Sequence, residues 1–168
     1  MDRYRYRIYT DGACAGNPGP AGYGVVVAKI EGNKYKPTYT FGGNTLVSTN
    51  NRMELTAAIE ALKYAVCLKL QALDSEVHVE LISDSAYVIN VLKNDWLGIW
   101  RYNGWKTKSG GDVKNKDLWQ QMLALRHIAD DSLNSLKFTR CDGHSGVIMN
   151  EMADAEAVRQ RKLVSAEE

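Results

Sequence analysis

Five side chains in this sequence are of types that do acid–base or metal-assisted chemistry, and each stands where a patterned segment starts or stops: Asp11, Glu54, Asp84, His144 and Asp154. Asp11 and Asp84 each follow a strand-like run, and in open α/β sheets ligands collect at the carboxyl ends of strands. Two carboxylates meeting there repel unless one is protonated or a cation lies between them, and a hard divalent ion such as Mg²⁺ takes oxygen ligands. The chemistry this suggests is metal-assisted. Every one of the five also has a plainer reading. A strand-end Asp can simply cap a turn or helix. Asn51-Arg52-Met53-Glu54 has the look of a capping box, with Glu54 reaching back to its own helix start. Asp154 falls in the first turn of the last helix, where the helix dipole favours negative charge. His144, in a glycine-flanked loop, reads equally well as a surface histidine. Singly, none of the five decides the chemistry.

Other chemistries are set aside more easily. The segment Gly12 to Gly24 lacks the GK[ST] ending of a phosphate-cradling loop, and its glycines lie between strands instead of opening a helix. The three histidines, His78, His127 and His144, form neither HExxH nor an evident pair, and no GxSxG elbow occurs. The three cysteines, Cys14, Cys67 and Cys141, are an odd number without CxxC spacing, which points to a reducing compartment and no zinc knuckle. A formal net charge of +1 argues against a protein coated in basic residues, so any nucleic-acid contact must be local.

The elements that must position these residues can be read from periodicity. Tyr4, Tyr6 and Ile8 alternate with Arg5 and Arg7 as a half-buried strand ending at Asp11. Gly12 to Gly24 reads as a glycine and proline turn ahead of a second strand through Val25, Val26 and Val27. Gly32-Asn33 signals a hairpin into a third strand, Tyr35 to Phe41. Leu55, Ala58, Ile59, Leu62 and Val66 recur at helical spacing after the N-cap candidates Ser48-Thr49-Asn50-Asn51. Val77, Val79 and Leu81 make a fourth strand, followed by a short helix through Tyr87, Val88, Val91 and Leu92. A Trp, Gly and Lys-rich insertion at about residues 94–112 reads as a protruding handle, after which Leu118, Trp119, Met122 and Leu125 restore helical spacing. Leu136 to Cys141 is a last strand, and Asn150 to Leu163 a last helix capped by Asn150. The expected fold class is α/β: a five-stranded mixed sheet, three antiparallel strands then two parallel additions, flanked by helices.

At 168 residues with 45% hydrophobic content, a single domain with one core is expected. No run approaches the roughly 18 to 20 apolar residues of a membrane span, and the N-terminus has no signal-peptide pattern, so a cytoplasmic location is expected. A monomer is the expectation from size and the lack of a coiled-coil pattern.

Taken in order, Tyr9-Thr10-Asp11-Gly12-Ala13-Cys14-Ala15-Gly16-Asn17-Pro18-Gly19-Pro20-Ala21-Gly22-Tyr23-Gly24, Thr49-Asn50-Asn51-Arg52-Met53-Glu54-Leu55, Ser83-Asp84-Ser85, Gly143-His144-Ser145-Gly146 and Asn150-Glu151-Met152-Ala153-Asp154 closely resemble type 1 ribonuclease H. The resemblance covers roughly residues 4–163. It implies the ribonuclease H-like fold and a magnesium-dependent endonuclease that cuts the RNA strand of RNA/DNA hybrids with little sequence preference. By resemblance, Asp11, Glu54, Asp84 and Asp154 bind two Mg²⁺ ions, with Mn²⁺ as an alternative, and the products carry 5′-phosphate and 3′-hydroxyl ends. His144 would assist proton transfer, a role suited to a group that titrates near neutrality.

The resemblance also places substrate contacts. Cys14, Asn17, Asn50 and Glu54 would line the RNA strand, whose 2′-hydroxyl distinguishes it from DNA. Thr49 and Asn115 would hold a phosphate of the DNA strand. The handle corresponds to the family's basic protrusion, so Trp96 and Trp100 would contact substrate amid Lys93, Arg101, Lys106 and Lys108, while Trp105 packs the handle onto the body. A resolvase- or transposase-like nuclease of the same fold and a catalytically silent hybrid-binding module remain alternatives. The glycine loop, the TNNRMEL motif and the Trp handle speak against the first, and the intact carboxylate set against the second.

Three departures from the family pattern stand out. Val47 occupies a position where members often carry arginine beside the DNA-phosphate pocket. Arg101-Tyr102-Asn103-Gly104 is less basic than in many relatives, and both changes predict weaker hybrid affinity. Glu156 stands where an apolar residue is common, which raises a question about packing near Asp154. No hybrid-binding module is expected ahead of Tyr4.

Overall fold

The computed structural model describes residues 2–142 and 147–165. The chain builds β1 (Arg3–Cys14), β2 (Gly19–Glu31), β3 (Lys34–Ser48), α1 (Asn50–Leu70), β4 (Glu76–Ser83), α2 (Ala86–Lys93), α3 (Trp96–Tyr102), α4 (Lys116–Ser132), β5 (Ser135–Arg140) and α5 (Ile148–Val164). The five strands form one sheet in the order β3-β2-β1-β4-β5. β1, β2 and β3 are an antiparallel meander, and β4 and β5 join in parallel through helical crossovers. This is the mixed sheet the sequence predicts.

Strand alternation sorts the side chains onto two faces. Ile8, Val25, Val27, Val77, Val79 and Leu81 are buried beneath Leu55, Ala58 and Leu62 of α1, Val88 and Leu92 of α2, and Trp119 and Met122 of α4. Tyr9, Val26, Ala28 and Ile82 face the other way and meet Ala153 of α5. Among the described residues, no helix is long and apolar enough to cross a membrane.

The glycine-rich segment differs from its sequence reading. β1 runs on to Cys14 and β2 already begins at Gly19, so only residues 15–18 turn the chain. Gly24 lies inside a strand because α5 presses directly on it: a Cβ there would stand 2.3 Å from the Ala153 carbonyl oxygen. Its lack of a side chain serves a close helix–sheet approach, not a turn. β3 likewise continues to Ser48, well past Phe41.

Glu156 fits this helix–sheet contact through polar partners. Its carboxylate accepts from Arg159 Nη2 at 2.7 Å and from Gln160 Nε2 at 2.9 Å, and Gln160 Oε1 in turn accepts from Asn44 Nδ2 at 2.8 Å. Ala153 and Ala157, on either side of it along the helix, stay fully buried. The packing near Asp154 is therefore intact despite the charge.

The insertion after α2 is only partly a protrusion. Leu97 of α3 and the following Trp105 are buried, and the Trp100 ring stands 5.7 Å from that of Trp119 in the body.

Candidate functional site

Parallel pairing of β1 and β4 aligns Thr10 with Ser83, so the next residue on each strand, Asp11 and Asp84, emerges at the same edge of the sheet. Asp84 is not the cap of α2. Ser85 fills that role, its hydroxyl accepting from the Val88 N–H at 3.2 Å.

Glu54 is brought to the same place by α1. Thr49 caps this helix by accepting from the Arg52 N–H at 3.2 Å, so the capping-box reading of Glu54 does not hold. Glu54 instead turns to β1, where the Gly12 N–H lies 3.2 Å from Glu54 Oε1 and 2.9 Å from Asp11 Oδ1. One amide thus bridges two carboxylates. That contact needs a glycine, because a Cβ at Gly12 would lie 2.9 Å from the backbone of Met53 and Glu54.

Asp11, Glu54 and Asp84 offer ligand oxygens that all lie within 4.8 Å of one another. Glu54 Oε2 is buried and has no hydrogen-bond partner among the described residues. A buried oxygen without a donor is costly, and three converging carboxylates are more so. A hard divalent cation satisfies both, so the residues present fit such an ion.

Burial first, then the neighbouring Asp84 charge and hydrogen bonding with Asp154, push Asp11 up from 3.8 to about 7, against the lowering effects of hydrogen bonds with Glu54 and the Gly12 amide. Burial, the Asp11 charge and its hydrogen bond hold the Glu54 carboxyl well above its ordinary value. The pocket therefore keeps protons near neutral pH unless a cation replaces them.

Asp154 lines the same pocket but stands outside the close trio. Because α5 starts at Ile148, Asp154 lies beyond the first turn. Asn150 does not cap the helix: Val147 occupies the cap position without a side-chain bond, and Asn150 faces the pocket and interacts with the Cys141 thiol. His144 lies outside the described residues. Cys141, Asn150 and Glu151 are wall residues that sequence reasoning did not single out as site residues. Nothing in the local pattern marks Cys141, since its place depends on the pairing of β5 with β4.

A second, polar cleft gathers Asn17, Thr49, Asn50 and Asn115, all singled out from the sequence, with Asn51 and Lys114, which were not. Asn17 is tied to α1 by its Oδ1, which accepts from the Asn50 N–H at 2.9 Å. Cys14 closes the adjacent strand end, its thiol 3.3 Å from the Ser48 carbonyl oxygen. Trp96 and Trp100 line a separate, mostly apolar groove with Ile99, Lys106 and Lys108. Trp96 is 41% exposed, Trp100 half-buried, and Trp105 buried.

A family model for RNase H matches residues 3–162. The chain belongs to the RNase H family. It is 41% identical over 155 residues to a ribonuclease H of Acetivibrio thermocellus, covering 92% of this chain and 93% of that one. A ribonuclease H of Chlorobium chlorochromatii is 41% identical over 158 residues, covering 94% and 96%. Among solved structures, RNase H1 of the archaeon Halobacterium salinarum superposes with a TM-score of 0.66 at 26% identity, covering 94% of this chain and 98% of that one. LC11-RNase H1, solved in complex with an RNA/DNA hybrid, gives 0.67 at 26% identity with 95% and 99% covered. The enzyme class expected from the sequence is the one these relatives carry.

Proposed function

We propose that this chain, as a single-domain monomer, hydrolyses the RNA strand of RNA/DNA hybrids at the pocket of Asp11, Glu54, Asp84 and Asp154, giving 5′-phosphate and 3′-hydroxyl ends. The observation that carries this is the convergence of three carboxylates around an orphaned buried oxygen, in a chain of the RNase H family. The hybrid bound to the LC11 relative supports the substrate class.

The four carboxylates would hold two Mg²⁺ ions, or Mn²⁺. Bound there, such ions supply activation of water and charge neutralisation at the leaving oxygen of an in-line displacement. The protein's own part is positioning. The Gly12 amide fixes Asp11 and Glu54, and the strand-end register sets Asp84 beside them. His144 would take or give a proton at the water or the leaving 3′-oxygen. Attack at phosphorus breaks the bond to the 3′-oxygen and leaves the phosphate on the 5′ side of the downstream fragment.

The two other clefts suit the two strands. Cys14, Asn17 and Asn50 would meet RNA 2′-hydroxyls, and Thr49 and Asn115 a DNA phosphate, with Lys114 adding charge to that cleft. Trp96 and Trp100 offer aromatic faces, with Lys106 and Lys108 beside them for phosphate. None of these contacts reads a base edge, which fits sequence-tolerant cleavage.

Asp11→Asn and Asp84→Asn test the assignment. Each is expected to remove detectable hybrid cleavage while circular dichroism stays that of the folded protein. Turnover close to wild type in either variant would refute it.

A further inference from the structure

Asn115 holds the N-cap position of α4 yet makes no capping bond, although asparagine is among the best capping residues. Its backbone is left-handed, at φ 59°, and its amide is engaged elsewhere. Oδ1 accepts from Arg52 Nη1 at 3.2 Å, and Nδ2 donates to the Tyr87 hydroxyl at 2.9 Å. The same hydroxyl accepts from Trp119 Nε1 at 2.9 Å, so Tyr87 is anchored on the core side. Arg52 is anchored too: Nη1 and Nη2 reach the two oxygens of Asp117 at 2.9 and 2.8 Å.

These bonds settle which way the Asn115 amide points. A guanidinium only donates, so the amide oxygen must face it. One N–H then goes to Tyr87, leaving the other for the polar cleft that Asn115 lines. Without Arg52, the oxygen loses its charged donor and the amide is free to rotate away from the orientation that leaves an N–H for the cleft. Arg52 also stands two residues ahead of Glu54 on α1, so the clamp ties the carboxylate pocket to the cleft across two helices.

We infer that Arg52, held by Asp117, is a positioning residue that fixes the Asn115 amide with its free N–H toward the cleft and so sets substrate register between cleft and carboxylates. Resting on the proposed function for its substrate, this assigns to Arg52 an effect that passes through Asn115. Fork geometry is essential to it, since lysine cannot bind both Asp117 oxygens and still reach Asn115.

The test is a double-substitution cycle with Arg52→Met, Asn115→Ala and the double variant, read as KM and kcat on an RNA/DNA hybrid. Each single change is expected to raise KM by about five- to tenfold with kcat little altered, and the double variant to be no worse than Asn115→Ala alone. Effects on KM that multiply, or a loss confined to kcat, would overturn the inference. The Asn115 side-chain amide resonances give a readout independent of activity, and they should shift in Arg52→Met but hold in a surface control such as Lys63→Met. Unmoved resonances would overturn the clamp. If they move while the wild type cuts no hybrid, the clamp stands and the proposed substrate falls.

Discussion

Glu54 has one oxygen on the Gly12 amide and the other buried without a partner among the described residues, and the raised carboxyls around it make metal-free stability depend on pH. Asp11 is pushed from 3.8 to about 7 and Glu54 is raised as well, so between about pH 4 and 7 the folded protein holds protons that the unfolded chain has released. With more protons bound in the native state, stability falls as pH rises through that window and is lowest above it. In EDTA, Asp11→Asn is therefore expected to be more stable than wild type at pH 8, by roughly 1–3 kcal/mol, with the advantage shrinking toward pH 4. Urea unfolding at both pH values measures this. An equal offset at both would show that the carboxylates do not share protons as described. Adding Mg²⁺ at pH 8 should raise the wild type and leave Asp11→Asn nearly unchanged, because an ion that binds only the native state stabilises it.

At the scale of elements, α5 lies on β2 as closely as backbones allow. Gly24→Ala would drive a methyl into the Ala153 carbonyl and push away the turn that carries Asp154. The expected cost is roughly 1–3 kcal/mol in urea unfolding, with cleavage reduced further than the stability loss explains. Unchanged unfolding would mean that the helix can shift freely. This contact also shows where sequence reasoning runs out. The alternation of Tyr4, Tyr6 and Ile8 and the helical spacing of Leu55, Ala58, Ile59 and Leu62 are local signals, and the elements they predict are present. A glycine under a helix and a glycine in a turn look alike in sequence, so the strand portion of residues 19–24 carries the signature of a loop. Asn150 and Glu54 resemble capping residues because of their type and spacing, but tertiary contacts claim both side chains. Lys114 and Cys141 carry no pattern at all, since each reaches its cleft only through the packing of distant segments.

Over the whole molecule the net charge of +1 leaves no general attraction for a polyanion, so affinity must come from particular places. Among the described residues the polar cleft has Lys114 as the one charged residue lining it, and the Trp groove has Lys106 and Lys108, of which Lys106 is paired with Asp112. Val47, two residues ahead of Thr49 on β3, is 68% exposed, so a longer side chain there disturbs no core. Val47→Arg is expected to tighten hybrid binding at low salt and to steepen the fall of log Kd with log salt by roughly one unit, with kcat little changed. Equal affinity at low salt would show that the substrate does not pass that position.

Cleavage of an end-labelled RNA/DNA hybrid, beside RNA duplex, DNA duplex and single-stranded RNA, with Mg²⁺ and with EDTA, tests the central claim most directly. Cutting confined to the RNA strand of the hybrid, leaving 5′-phosphate ends and lost in EDTA, is the predicted result. Metal-independent cutting, cutting of the DNA duplex, or no cutting of a hybrid that is nevertheless bound would contradict it.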